Sequence, residues 1–119
     1  MSHAIEWLDE PEHHDYPAAL SYLCLHFTLK EAAELVDRLR HAKKVSFKAK
    51  DIMRASGLPI LGISNSHIER DRQKVHEGQK LSPILLVRTG DKLIIADGYH
   101  RACAVYSLDE DAVIPARIV

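Results

Sequence analysis

The sequence predicts an α+β fold, in which a small mixed β-sheet with packed helices follows an N-terminal helical hairpin. Between residues 17 and 39, apolar side chains recur every three or four positions, which is typical of amphipathic helices. Short apolar runs rich in Val, Ile and Leu at residues 45–48, 83–87, 92–96 and 113–119 indicate strands. With 46% hydrophobic and 28% charged residues, the 119-residue chain has the composition of one globular domain.

The first 44 residues are predicted to form an extension and a helical hairpin that pack on a core of residues 45–119. Pro17 opens the first helix, and Thr28 with Glu31 has the spacing of a capping box that begins the second. The predicted buried stripes are Leu20, Leu23, Cys24 and Phe27 on the first helix, and Leu29, Ala32, Ala33, Val36 and Leu39 on the second.

Within residues 45–119, local sequence patterns predict four strands and two helices. Asn65 or Ser66 caps a polar helix that ends near Gly78 and carries Ile68 and Val75 as its sizeable apolar residues. The remaining predicted elements are a strand at Val45–Lys48, a strand at Pro83–Val87, a turn at Thr89–Asp91, a strand at Lys92–Ala96, a helix at Tyr99–Ser107 and a strand at Val113–Val119.

Composition excludes several classes of protein. Cys24 and Cys103 match no metal or redox spacing, so we expect both to be small buried hydrophobic residues. Residues 1–15 are acidic and lack an apolar core, and no run approaches eighteen apolar residues. We therefore expect no secretion signal, no membrane contact and a cytoplasmic location.

The net charge of −1 hides an uneven distribution. Residues 1–37 hold eight acidic residues against one basic residue, whereas residues 38–88 hold twelve basic against four acidic. A basic middle third can attract phosphates or nucleic acid, and it can equally complement the acidic N-terminal segment of the same chain.

The segment around Asp97-Gly98-Tyr99-His100-Arg101 carries the most functional information. A buried strand runs through an Asp-Gly turn directly into a helix, whose first amides lack carbonyl partners and carry the positive end of the helix dipole. Such a terminus binds anions, and Gly98 permits a close approach to the backbone. His100 and Arg101 add imidazole and guanidinium donors. Alternatively, Asp97 is only an N-cap, Gly98 only a turn residue, and the two basic residues only surface groups.

The run from Val45 to Val119 resembles the ParB/sulfiredoxin superfamily. The matching pieces are Val45–Ile52, Ser66–Gly78, Pro83–Val87 and Gly98-Tyr99-His100-Arg101, within about 75 of the 119 residues. Relatives carry Gly-Glu-Arg-Arg, Gly-Cys-His-Arg or, in the ParB-like free-serine kinases, Asp-Gly-His-His-Arg at the last piece, where they contact nucleotide phosphates. The resemblance implies the same contacts for Gly98, His100 and Arg101.

The departures from this family narrow the expected activity. Tyr99 stands where sulfiredoxin chemistry needs a cysteine, and the chain ends at Val119 without the DNA-reading domain of ParB itself. Sulfinic acid reduction and chromosome partition are therefore not expected. The kinase relatives are the most similar at the motif, but their catalytic acidic base has no counterpart that we can align.

Further charged residues offer candidate second walls. Lys48, Lys50, Asp51 and Arg54 cluster at the end of the first strand, where Lys50 could meet a phosphate and Asp51 could hold a metal ion or orient a hydroxyl. A solvated charged turn is the alternative. Arg70, Arg72 and Lys74 alternate with acidic residues, which indicates an exposed, salt-bridged helix face. His13 and His14 lack a third metal ligand in the sequence, so the metal site is left unassigned.

These observations lead to three hypotheses. The first is a nucleotide-binding domain, with a nucleoside tri- or diphosphate and Mg²⁺ as cofactors, that acts as a phosphotransferase on a small acceptor or as a hydrolase. Its binding residues would be Gly98, Tyr99, His100, Arg101, Lys50 and Asp51, and its catalytic groups Asp97 and His100. The second is a nucleic-acid-binding protein or nuclease. The third is a non-catalytic module whose hairpin covers the sheet or mediates self-association into a homo-oligomer.

Overall fold

A computed structural model describes residues 4–62 and 64–119 of the chain. Residues 1–3 of the predicted extension lie outside the described residues. The elements are α1 (Asp15–Leu23), α2 (Leu29–His41), β1 (Lys44–Lys48), α3 (Ala49–Ser56), α4 (Ser66–His76), β2 (Ile84–Arg88), β3 (Leu93–Asp97), α5 (Tyr99–Leu108) and β4 (Val113–Ile118). The fold is α+β, as predicted.

The four strands form one mixed sheet in the order β1-β4-β2-β3. β4 lies antiparallel to β1 and parallel to β2, and β2 pairs antiparallel with β3 through the predicted tight turn. The parallel pair aligns Leu85 with Arg117, and the hairpin aligns Val87 with Ile94. The sheet therefore carries β2 and β4 at its centre.

Helices cover both faces of this sheet, which explains the unbroken apolar run of β2. Ile84 and Leu86 join a core cluster with residues of α3, α4 and α5, whereas Leu85 and Val87 join a second cluster with α1 and α2. Successive side chains of a strand point to opposite faces, so a strand covered twice must be apolar at every position. The N-terminal hairpin thus packs on the face of the sheet opposite α5.

Helix α1 begins and ends earlier than predicted, since the sequence suggested a helix that opens at Pro17 and reaches about Phe27. It begins at Asp15 and ends at Leu23, so Pro17 lies in its first turn, where backbone amides need no helical partner. Its buried residues are Asp15, Tyr16, Ala19 and Leu23. The prediction that Cys24 is buried was wrong: Cys24 follows the helix and is exposed, whereas Cys103 is buried.

Helix α2 begins as predicted but buries a narrower stripe. Thr28 and Glu31 form the capping box, with both reciprocal hydrogen bonds present. Ala32, Val36 and Leu39 are buried, but Leu29 is 67% exposed and Ala33 is also exposed. Leu29 is the first residue of the helix.

In the second half of the chain the main departure is α3, which the sequence did not predict. Asn65 rather than Ser66 caps α4, because its side chain accepts hydrogen bonds from the amides of residues 67 and 68. Ile68 and Val75 are buried, as predicted.

Among residues 4–62 and 64–119, every helix falls short of the length and apolar character that a membrane span requires.

Candidate functional site

The turn between β3 and α5 presents an uncapped helix terminus. Gly98 is the N-cap residue of α5, with a φ of 107°, and no described side chain forms a capping hydrogen bond there. Asp97 is therefore not the N-cap that one interpretation of the sequence suggested; its carboxylate binds Arg101 instead. The amides of the first turn of α5 remain available to a negatively charged group.

Gly98 is required by packing as well as by its backbone angle. A Cβ at this position would lie 2.8 Å from Cβ of Ile84 and 2.9 Å from Nη2 of Arg101. Ile84 is fully buried in a central strand of the sheet, where close packing opposes its displacement. Gly98 is thus more than a turn residue, because it lets β2 and the Arg101 side chain approach the backbone closely.

A cavity of about 240 Å³ opens in front of this terminus. Its basic lining comprises Arg70, Lys74, Lys80 and Arg101 with the imidazoles of His14, His67 and His100, and its acidic lining comprises Glu12, Asp71 and Asp97. α4 supplies one wall, the segment before β2 a second, and residues just before α1 a third. The cavity therefore gathers groups that lie far apart in the sequence around the start of α5.

Two of the four lysine and arginine side chains in this lining form no ion pair within 4.0 Å among the described residues, although the charge of Arg70 acts on Asp71 from a longer distance. Arg70 and Lys80 are exposed and form no ion pair or side-chain hydrogen bond there. Lys74 lies 4.0 Å from a carboxylate oxygen of Asp71, and Arg101 forms ion pairs with Asp97 and Asp15, although its buried Nε has no hydrogen-bond partner among the described residues. Arg70 and Lys80 are the cations free to meet an anionic ligand.

Arg101 joins two aspartates beneath the cavity. Its Nη2 lies 2.8 Å from Oδ2 of Asp97, and its Nη1 lies 3.7 Å from Oδ1 of Asp15. The other oxygen of Asp15 accepts hydrogen bonds from the hydroxyl of Ser82 and from the backbone amide of Glu12. This network ties α5, α1 and the start of β2 together, so Arg101 has a structural role whether or not it also contacts a ligand.

Burial raises the pKa of Asp97, which belongs to this network, and that of Asp71, which lines the same cavity. Burial and the neighbouring Asp15 carboxylate raise the pKa of Asp97 above its ordinary value, although Arg101 opposes the shift. Burial likewise raises the pKa of Asp71, against the attraction of Lys74, Arg101 and other nearby cations. Negative charge is therefore costly at both positions, and the surrounding cations reduce that cost.

His100 stands at the mouth of the cavity beside a second imidazole. The ring centroids of His67 and His100 lie 4.7 Å apart. Burial lowers the pKa of His100, and the charge of His67 lowers it further, with Asp71 acting in the opposite direction. A neutral imidazole at this position can accept a proton near neutral pH.

This environment gives a direct prediction for the titration of His100. We expect NMR of the ring protons to show a pKa for His100 below the ordinary histidine value of 6.5, and we expect H67Q to raise this pKa by removing a like charge. Inorganic triphosphate should also raise it, because a bound anion favours the imidazolium. H13Q is the matched control, since His13 is exposed and borders none of this cavity. A midpoint at or above 6.5 in the free protein would contradict the geometry.

The structure brings most, but not all, of the predicted site residues together. Asp97, Gly98, Tyr99, His100 and Arg101 all line the cavity. The residues predicted to form a second wall of the phosphate site do not line this cavity. These residues, Lys50 and Asp51, border a separate cavity with Leu58 and Tyr106 among others.

The position of α3 explains this difference. The amide of Lys50 donates to the carbonyl of Glu110, just beyond the C-terminal end of α5. A helix of ten residues is about 15 Å long, so Lys50 lies at the far end of α5 from Gly98. Lys50 also pairs with Asp111 at 2.6 Å, and Asp51 pairs with Arg54 at 3.3 Å.

Sequence reasoning missed the residues that form the actual second wall. Arg70 was correctly predicted to lie on an exposed helix face but was not assigned to the site, and His67 and Lys80 were not singled out at all. The surplus of basic residues between positions 38 and 88 was a signal for them, but it could not show which side chains face the start of α5. Only the tertiary placement of α4 and of the segment before β2 decides that.

Comparison of the chain with protein-family models, with curated proteins and with solved structures found no match. The resemblance of the motif at residues 98–101 to the ParB/sulfiredoxin superfamily therefore stays a prediction from sequence.

Proposed function

We propose that this protein binds the phosphate groups of a nucleotide in the cavity at the start of α5. One observation carries the proposal: the unpaired cations Arg70 and Lys80 line the same cavity as a helix N-terminus that no side chain caps. Backbone amides and the helix dipole favour a bound anion, and lysine and arginine side chains add charge-assisted hydrogen bonds. These are complementary parts of a phosphate site.

The roles of the individual residues differ from those expected from sequence alone. Arg70 and Lys80 meet the phosphates, together with the amides of the first turn of α5. Arg101 is held by Asp97 and Asp15, so it chiefly shapes the site. His100 is the candidate proton acceptor if the bound nucleotide is turned over, because burial keeps its imidazole neutral. The activity would then be phosphoryl transfer to a small acceptor or hydrolysis.

A magnesium ion would accompany the phosphates, and the site offers it few free ligands. Mg²⁺ at nucleotide sites is usually held by one or two carboxylates and by the phosphates themselves. Asp97 and Asp71 lie against Arg101 and Lys74. Glu12 at the rim is the better candidate, and its carboxylate lies in a group with His14 and Asp15 whose ligand atoms are within 4.8 Å of one another.

The sequence motif supports a nucleotide over other anions. Asp97-Gly98-Tyr99-His100-Arg101 resembles the Asp-Gly-His-His-Arg of ParB-like kinases, in which this element contacts nucleotide phosphates. Nucleic acid binding is less well supported, because the unpaired cations face a small cavity and the described sequence has few aromatic residues on which bases could stack.

Removing the two unpaired cations should abolish most of the binding. We expect ATP, ADP, CTP or GTP with MgCl₂ to raise the thermal midpoint of the wild-type protein. We also expect the double variant R70A/K80A to bind at least about tenfold more weakly, since each cation would donate to charged oxygens. Isothermal titration calorimetry measures both affinities.

The matched control is R38A/K43A, which removes the same charge from exposed positions outside the cavity. Equal affinity of wild type and R70A/K80A for every nucleotide, or no binding by the wild type, would refute the proposal. Mass spectrometry of the nucleotide after incubation separates turnover from simple binding. Omitting MgCl₂ shows whether the metal contributes.

A further inference from the structure

A second cavity, of about 440 Å³, adjoins the phosphate cavity at the start of α5. Residues 97–100 line both. The rest of its lining is apolar or aromatic: Ala18, Tyr22, Leu58, Ile95 and Ala96. The two cavities therefore meet at one turn of the backbone but differ in character, since one is cationic and the other is largely apolar.

Helix α1 connects the two cavities along one of its faces. His14 borders the phosphate cavity, whereas Ala18 and Tyr22 border the second. Positions four residues apart lie on the same side of a helix, about one turn from each other. The side of α1 that carries Ala18 and Tyr22 continues back to His14, the N-cap residue just before the helix, and thus runs from the cationic cavity into the apolar one.

The phosphate cavity is too small to hold a whole nucleotide. Its 240 Å³ falls below the range of about 300–1,000 Å³ that is typical of small-molecule sites. A nucleotide bound there by its phosphates must extend its sugar and base beyond the cavity. The adjoining cavity, with apolar walls and the rings of Tyr22 and Tyr99, is complementary to the flat faces of a base.

Two contacts give this second cavity a defined shape. The hydroxyl of Tyr99 donates to the carbonyl of Pro59, which joins the loop that carries Leu58 to the start of α5. The ring of Tyr22 packs at a tilt against His26, with 5.1 Å between centroids, and the residue remains 38% exposed. One wall is therefore tied in place while Tyr22 keeps accessible ring surface.

We propose that the second cavity holds the base and sugar of the nucleotide, and that Tyr22 of the N-terminal hairpin supplies the ring on which the base packs. This inference rests on the proposed function, because the phosphates place the rest of the ligand. It gives the hairpin a direct part in ligand recognition in addition to covering the sheet.

The test compares ligands with and without a base. Calorimetry is carried out on the full chain with ATP, GTP, CTP, UTP and inorganic triphosphate, each with MgCl₂. We expect at least one nucleotide to bind about fivefold or more tightly than triphosphate, which is the lower range for stacking of one base. Y22A should lose that advantage while its affinity for triphosphate is unchanged, and Y22F should keep it.

L25A is the matched control, since Leu25 is 81% exposed just after α1 and lines neither cavity. Circular dichroism confirms that each variant is folded. The inference is overturned if triphosphate binds as tightly as every nucleotide, or if Y22A binds nucleotides as well as wild type does; in both cases phosphate binding survives. If neither triphosphate nor any nucleotide binds the wild type, the proposed function itself fails, and this inference with it.

Discussion

Substituting Gly98 by alanine is expected to lower the free energy of unfolding by about 2–5 kcal/mol. Part of the loss arises because a residue with a side chain is strained at a φ of 107°. The larger part arises because the new Cβ would collide with Ile84, which is fully buried, and with the guanidinium of Arg101. For a small domain this is a large share of the total stability.

Substitutions at two other glycines allow the backbone strain and the steric collision to be measured separately. Gly78 has a φ of 76° but open space around its Cβ position, so G78A measures the strain alone. Gly90 has open space and no positive φ, so G90A should be nearly neutral. Urea unfolding of the three variants should rank them G98A, G78A, G90A in order of decreasing loss. A G98A variant no less stable than G78A would show that the close packing at the start of α5 is absent.

Replacing Arg101 by alanine is expected to destabilise the protein by about 3–5 kcal/mol at neutral pH. Its side chain is only 15% exposed and lies between Asp97 and Asp15, whose side chains are 20% and 3% exposed. Removing the cation leaves two neighbouring carboxylates without their counter-charge in a poorly solvated place. By contrast, R54A removes an exposed partner of Asp51 and should cost less than about 1 kcal/mol.

The loss in R101A should shrink as the pH falls. Burial already raises the pKa of Asp97 in the folded protein, and removing Arg101 takes away the charge that opposes this shift. Between the ordinary value of 3.8 and the raised folded value, the native state binds more protons than the unfolded state, so stability rises on acidification. Urea unfolding at pH 7 and pH 5 measures the recovery. A difference between wild type and R101A that stays constant or grows at pH 5 would argue against a buried Asp97 held by Arg101.

The Arg101 result also determines which variants can test ligand binding. Because R101A perturbs folding, a loss of nucleotide affinity in that variant would not identify a phosphate contact. Arg70 and Lys80 are exposed and form no salt bridge or side-chain hydrogen bond within the described chain, so their removal breaks no direct contact of the buried network, although Arg70 is one of several cations that act on Asp71. Binding and stability can therefore be measured on different residues of the same site.

Local patterns predicted most of the elements. The capping box at Thr28 and Glu31, the tight turn after β2 and the Asp-Gly turn into α5 are short-range signals, and each appears in the structure. α3 was missed because its eight residues, several of them charged, lack a long apolar repeat. Cys24 was misplaced because an apolar neighbourhood in sequence does not show where a helix ends.

The α+β class and the strand–turn–helix that exposes the first amides of α5 follow from periodicity and from residues adjacent in the chain, so they can be predicted without coordinates. The side chains that surround that helix terminus are specified only by the packing of distant segments. This packing places Arg70 and Lys80 beside the terminus and Lys50 and Asp51 at the other end of α5. The physical reason is that helix packing joins residues far apart in the chain, and charge composition alone does not specify the direction in which each side chain points.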